Sequence, residues 1–321
     1  MADISPPTNP AAITNSPPIL YSVVVPVFNS AVTLQTLFER LKAVFDRLKA
    51  PFELILIDDG SHDDSWPKIV TLCTHFPAIV RGVRLSRNFG QHNAILCGLA
   101  KTKGRFVITI DDDLQVPPEE IIALIEHQKQ TNADCTYGLP AETHYGLIRN
   151  WGSTSMQWVV RQAFGYKGRV GPFRLLHNTL VRKIIRHNAG FIFIDGYILW
   201  HTQHIGQVTI KKQPRPYGKS GYNFWALLRL MLLLIISYTV LPVYLLFGLS
   251  AFCGILGVGI SLYNYALRHY FLYSHLTVLS LMLILCALIL LGLGIVASYL
   301  QRLSQMHYSA PVYSVERAIN L

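Results

Sequence analysis

The chain has 321 residues, of which 51% are hydrophobic and only 14% charged, with a formal net charge of +10. A typical soluble protein carries about 25% charged residues, so the length suits one large domain or two ordinary ones while the composition argues against a wholly soluble chain. No lysine- or arginine-rich run gathers the positive excess, which excludes a nucleic-acid arm and leaves anionic lipid or phosphorylated substrates as matching partners.

Residues 1–20 open on "MADISPPTNPAAITNSPP", which has neither a basic start nor an apolar core. The Pro, Ser, Thr and Asn content reads as a disordered tail rather than a signal peptide. From Tyr21 onward, short apolar runs alternate with amphipathic stretches. "YSVVVPVF" (21–28) is β-branched and predicts a strand. Residues 32–50 have helical spacing, with Leu34, Leu37, Leu41, Val44, Phe45 and Leu48 on one face. Strands follow at 52–60, 80–86 and 105–111, with helices at 65–76 and 90–102 between them. Such alternation implies βαβ units and a mostly parallel sheet, whose ligands sit beyond the carboxyl ends of the strands.

The strand over 105–111 runs straight into Asp111, Asp112 and Asp113. Three adjacent carboxylates repel and are costly to bury unpaired, so a cation or water must meet them. Strand alternation puts Asp111 and Asp113 on one side and Asp112 on the other. With Gln115 just beyond, the set suits oxygen ligation of Mg²⁺ or Mn²⁺. A solvated acidic turn is the bland alternative.

Between Ala226 and Gln301 the only formal charges are Arg229 and Arg268. Residues 241–263 and 277–300 are each long and apolar enough to cross about 30 Å of hydrocarbon as a helix. Residues 223–240, with Trp225 and Arg229 ahead of Pro242, read as an interfacial helix. Basic residues Lys211, Lys212, Arg215, Lys219 and Arg229 precede the first span, the pattern of a cytoplasmic flank. Two spans put both termini and the catalytic domain on the cytoplasmic side, with residues 304–321 as a C-terminal tail. Ser250, Gly254, Gly257 and Ser261 form a small-residue helix face, open to packing within the chain or between subunits. The five cysteines are scattered and read as reduced packing residues.

Taken in order, "VVVPVFN", "ELILIDDGSHDDS", "LSRNFGQH" and "DDDLQVPPEEI" resemble the family-2 glycosyltransferases of the GT-A fold. Within them the likeness is to the polyprenyl-phosphate branch, such as dolichol-phosphate mannose synthase and the bacterial undecaprenyl-phosphate enzymes, and it covers roughly 21–303. The resemblance implies a GT-A domain over 21–222, followed over 223–303 by the interfacial helix and two transmembrane helices, in an integral protein of the bacterial inner membrane. It implies hexosyl-type transfer, with inversion, from a nucleotide-sugar to undecaprenyl or dolichyl phosphate. By the same resemblance Pro26, Phe28 and Asp58 hold the donor nucleoside, and Arg87, Asn88, Asp111, Asp112 and Lys219 face the donor. Asp111, Asp113 and Gln115 match the metal positions, Asp113 also counting as catalytic. Arg149, Ser153 and Arg174 match acceptor-phosphate contacts, and Arg215 reaches the donor diphosphate or acceptor phosphate as a catalytic cation.

Three departures from the family pattern stand out: Ser30 where Glu is usual, "YGLPAETH" (137–144) without the usual G-x-R, and "RPYGKSGY" (215–222) with its lysine two residues early. "KGRVGPFR" (167–174) lacks the Asp of related enzymes, and Asp195 is taken as its substitute on the acceptor side, with a buried turn or cap as the alternative. A processive polysaccharide synthase fits less well because Q-x-x-R-W does not occur. A catalytically silent nucleotide-binding scaffold is the reading from another class. Related enzymes can assemble through their membrane helices, so the resemblance leaves a homo-oligomer through the small-residue face as the alternative to packing within the chain.

Overall fold

The computed structural model describes residues 19–141, most of 157–186, 193–213 and 312–321, together with isolated positions between 232 and 300. Its sheet grows from β1 (Tyr21–Val27), which is buried along its whole length. Alternation divides that strand between two cores: Val23, Val25 and Val27 pack on one face of the sheet and Val24 on the other. β2 (Phe52–Asp58) does the same with Leu54 and Leu56 against Ile55 and Ile57. A strand buried on both faces reads as a continuous apolar run, and these two do.

Helices cover each face. On the first lie α1 (Leu34–Leu48), α2 (Ser65–His75) and α4 (Ile121–Thr131). On the second lie α3 (Gln91–Leu99), α5 (Asn178–Ile184) and α6 (Ile194–His201). The face expected for α1 is the buried one, gaining Phe38, with Leu48 packed at its margin. The remaining strands are β3 (Val80–Leu85), β4 (Phe106–Thr109), β5 (Cys135–Pro140), β6 (Arg174–His177), β7 (Ile205–Ile210) and β8 (Val315–Ile319).

Their order across the sheet is β7-β5-β6-β4-β1-β2-β3-β8. The block β4-β1-β2-β3 is parallel, as the alternation of elements predicts, and so is β5 with β7. β6 runs antiparallel between β4 and β5, and β8 antiparallel along β3, so the sheet is mixed. The parallel block sends the chain ends after β1, β2, β3 and β4 to one edge, where the sequence motifs cluster.

Two boundaries differ from expectation. β4 stops at Thr109, where its pairing with both β1 and β6 ends, so the three aspartates lie in the turn beyond the strand. Residues 312–321, expected as a tail, supply the edge strand of the catalytic sheet. The predicted spans and interfacial helix lie almost wholly outside the described residues; among the described residues no helix is long and apolar enough to cross a membrane. The described positions Met282, Leu285, Ile289, Leu293, Val296 and Leu300 are helical and exposed, at intervals of three and four. Cys73, Cys97 and Cys135 are buried free thiols, as expected for packing residues.

Candidate active site

Pro26 is buried at the end of β1, and the chain then surfaces at Phe28, which is 44% exposed. Asn29 takes a left-handed conformation and joins this loop to the one after β2: its backbone N–H donates to Ser61 Oγ (2.9 Å), and its side-chain oxygen accepts from the His62 N–H (2.9 Å). Asp58, fully buried, accepts from the Ser61 N–H through Oδ1 (3.1 Å) and has Arg84 Nε 3.4 Å from Oδ2.

Asp59, to which the sequence reading gave no role, holds the third loop. Its carboxylate accepts from the backbone N–H groups of Phe89 (2.7 Å) and Gly90 (2.9 Å). Burial raises its pKa, the neighbouring Asp58 adds to the rise, and the two amides oppose it. Gly60 has φ +70, and a Cβ there would meet the Arg87 carbonyl carbon at 2.6 Å. Only glycine lets these two loops touch. Arg87 and Asn88 are thereby fixed at the rim as exposed side chains, with the Arg87 guanidinium 4.8 Å from the Phe89 ring centroid.

The carboxylates after β4 diverge. Asp111 Oδ1 accepts from Gln91 Nε2 (2.7 Å), at the start of α3. Burial first, then the charges of Asp113 and Asp112, push its pKa up to about 7 against the pull of Arg174 and Lys212. Asp112 turns to the first loop, where Oδ2 accepts from the Phe28 N–H (3.1 Å). Burial lifts it to about 6, eased by Ser30 and by the Phe28 amide. Asp113 accepts from the Gln115 backbone N–H (3.0 Å) and side-chain Nε2 (2.9 Å). The divergence of Asp112 from Asp111 agrees with the expectation, although a turn produces it instead of strand alternation; Leu114 in the left-handed region closes that turn.

Among the described residues no three His, Cys, Asp or Glu side chains are grouped to hold a metal by themselves. The residue types nevertheless suit a hard divalent cation: Asp111, whose pKa rises through burial and the charges of Asp113 and Asp112, and Asp113 with the Gln115 carboxamide against it. Asp111, Asp113 and Gln115 could hold such an ion.

Arg174 and Asp195 do not face an open surface. Arg174, 1% exposed, pairs through Nη1 with Asp195 Oδ1 and donates from Nε to Thr109 Oγ1 (3.1 Å). The Tyr137 hydroxyl donates to the same Asp195 oxygen (2.9 Å). These two residues form a buried ion pair near the carboxylates, with Arg174 Nε and Nη1 and Asp195 Oδ1 engaged with protein, in place of the open acceptor contacts assigned from sequence; Asp195 lies buried in the first turn of α6, as the alternative reading had it. His92, on α3, lies edge-on to Phe193, and burial pushes its pKa down to about 4, so it is a neutral packing group. After β7, the Gln213 N–H donates to the Gln115 carbonyl (2.8 Å), bringing Lys212 toward Asp111. Arg149, Ser153, Arg215 and Lys219 lie outside the described residues. Sequence reasoning gave no site role to Asp59, Gln91, Tyr137 or Lys212, although Asp59 and Gln91 stood inside the matching motifs, Tyr137 opened "YGLPAETH" and Lys212 belonged to the basic flank.

The sequence model described as "Glycosyl transferase family 2" matches residues 22–193. The chain is 31% identical over 310 residues to the undecaprenyl-phosphate 4-deoxy-4-formamido-L-arabinose transferase of Pseudomonas aeruginosa (strain LESB58), covering 94% of this chain and 90% of that protein. The transferase of the same name from Yersinia pestis (strain Pestoides F) is 28% identical over 312 residues, 95% of each chain. Among solved structures, glucosyl-3-phosphoglycerate synthase from Mycobacterium tuberculosis, in complex with Mn²⁺, uridine diphosphate and glucosyl-3-phosphoglycerate, aligns with a TM-score of 0.50 at 16% identity, over 68% of this chain and 80% of that one. That likeness is one of fold.

Proposed function

The chain belongs to glycosyl transferase family 2, and from that premise we propose that it moves a sugar from a nucleotide-sugar to a polyprenyl phosphate at a membrane surface. The observation carrying this reading is the acidic turn Asp111–Asp113 beside the Phe28–Ser30 and Asp58–Ser61 loops, in a chain that matches undecaprenyl-phosphate sugar transferases over nearly its whole length.

The donor nucleoside lies against Pro26 and Phe28, with Asp58 as acceptor for the base and Arg87 at the rim. The donor diphosphate reaches Asp111 and Asp112, and Lys219 follows it from the later loop. Mg²⁺ or Mn²⁺ would be held by Asp111, Asp113 and Gln115 and would neutralise charge on the departing diphosphate. Arg215 adds a fixed positive charge to the same end. Arg149 and Ser153 grip the acceptor phosphate. A phosphate oxygen of the lipid bonds to the anomeric carbon as the bond from that carbon to the diphosphate oxygen breaks, with inversion, and the nucleoside diphosphate leaves. The acceptor is already an anion and needs little help from a general base; positioning and charge neutralisation do most of the catalysis. The Arg174–Asp195–Tyr137 group supports the carboxylates from the core.

Two observations support membrane attachment. The exposed apolar stripe from Met282 to Leu300 is what lipid contact requires. β8 pairs with β3, so the chain after the apolar region returns to the catalytic domain, which suits an even number of crossings. The test is transfer of label from UDP-sugars, then from other nucleotide-sugars, to undecaprenyl phosphate by the purified chain with Mg²⁺ or Mn²⁺. A labelled, mild-acid-labile lipid supports the proposal. Metal-dependent nucleotide binding without any lipid product would turn the reading toward the silent scaffold.

A further inference from the structure

β8 meets β3 with one residue too many. Ile319, Ala318 and Arg317 stand opposite Gly82, Val83 and Arg84, but the next pair is Leu85 with Val315, leaving Glu316 outside the register. A bulge of this kind bends the strand and re-aims a side chain. Here the Glu316 carboxylate comes to 3.7 Å from Arg84 Nε, and the same nitrogen is 3.4 Å from Asp58 Oδ2. Arg84 stands opposite Asp58 in the register of β3 with β2, and its guanidinium carbon lies 5.9 Å from the Trp66 ring centroid. The three side chains grade from the surface inward, at 42%, 29% and 0% exposure. Asp58 Oδ1 is occupied by the Ser61 N–H, whereas Oδ2 is buried and accepts no hydrogen bond among the described residues.

Other contacts fasten the strand. The Ser86 N–H donates to the Ser314 carbonyl (2.9 Å), and the Asn320 side chain donates to the carbonyls of Cys73 (2.9 Å) and Val80 (3.0 Å). Tyr313 packs against the core on the α3 face. A bulge and exposed charges can by themselves protect a sheet edge; edge protection does not account for a carboxylate brought to the cation beside Asp58.

We propose that the C-terminal strand is part of the donor site: Glu316 orients Arg84, and Arg84 sets the Asp58 carboxylate that receives the donor base. Arg84 and Glu316 are positioning residues, acting through Asp58 and touching no substrate. The inference rests on the donor-site reading of Asp58. It gives the returning C-terminus a task in recognition, so nucleotide binding depends on a segment more than a hundred residues beyond the acidic turn.

The experiment uses the full chain in detergent, with UDP as probe and undecaprenyl phosphate as acceptor. Glu316→Gln should weaken UDP binding about threefold to fivefold, the scale of a part-exposed ion pair, and leave the acceptor KM unchanged. Glu316→Asp should recover part of the loss. Arg84→Lys should weaken UDP more than Glu316→Gln does, because lysine lacks the Nε that stands between the two carboxylates. Glu316 also stands 3.8 Å from Arg317 Nε, so the control is Val315→Thr, on the same strand with an exposed side chain, which should leave UDP affinity alone. Unchanged UDP affinity in both Glu316→Gln and Arg84→Lys overturns the proposal. So does an equal loss in Val315→Thr, or a loss shared by both substrates in step with a lower Tm, either of which makes β8 an edge strand and nothing more. Wild-type protein that binds no UDP, with no response to GDP, CDP or ADP in its place, overturns the donor-site reading itself.

Discussion

Asp111 faces two like charges and two cations at once, and its position decides what each neighbour contributes. Asp111→Asn removes a charge from the diphosphate end and should slow transfer at least a hundredfold, about 3 kcal/mol of barrier. Asp113→Asn should match it. Asp112→Asn should cost less, since the amide oxygen can still accept from the Phe28 N–H. Equal losses at all three positions would sink the division of roles. The pH dependence has a definite sign. Asp111 moves from an ordinary 3.8 to about 7 on folding, so the folded chain holds that proton more tightly than the unfolded one. Its contribution to stability is fully present below pH 3.8 and is lost as pH rises through about 7. Metal-free protein should therefore lose Tm between pH 5 and 8, Mn²⁺ should restore it at pH 8, and Asp111→Asn should flatten both responses. A Tm that climbs through this window in the wild type but not in the variant would contradict the assignment. Asp111 and Asp113 were legible because a strand that ends on carboxylates demands a cation. Asp59 was not, because its partners are backbone amides thirty residues away that no side-chain pattern announces.

At the scale of elements, β1, β2, β3 and α1 could be read from periodicity because each is buried along one or both faces. β6 could not: "RLLH" is four residues long and gains its place from pairing with β4 and β5, contacts remote in sequence. The family resemblance assigned Arg174 to a phosphate. β6 carries it inward, where Asp195 at the start of α6 meets it and Tyr137 of β5 completes the group. Breaking one side of a buried pair leaves an uncompensated charge and costs about 3–5 kcal/mol, whereas replacing both partners with apolar groups is far milder. Arg174→Met alone and Asp195→Leu alone should each lower Tm sharply, and the double variant should regain much of that loss. An acceptor-binding role predicts a different outcome: raised acceptor KM with Tm unmoved, and no recovery in the double variant. Chemical denaturation of the three proteins, read together as a cycle, separates the two.

For the whole molecule, composition announced a membrane segment, but the pairing of β8 with β3 constrains how the chain must pass through it. The segment between Gln213 and Val312 begins at the site, where the Gln213 N–H meets Gln115, and ends where Tyr313 packs against the catalytic core. Both ends thus belong to one domain. On the proposed membrane attachment, any number of crossings between them must be even, and the two apolar stretches at 241–263 and 277–300 would supply two. The basic flank before the first stretch would then put the domain on the cytoplasmic side. None of this was visible in "SVERAI", whose exposed, charged residues read as a tail until an edge strand claimed them. The expectation is specific. Alkaline phosphatase fused after Leu321 should be inactive and a fluorescent protein fused there bright, while alkaline phosphatase placed between 264 and 276 should be active. An active phosphatase at the C-terminus would mean an odd number of crossings, and then β8 could not pair with β3 of its own domain. In that case the truncated chain ending at 311 would bind UDP as well as the full one, whereas a strand that closes the sheet and sets Arg84 predicts that the truncation loses both stability and UDP affinity.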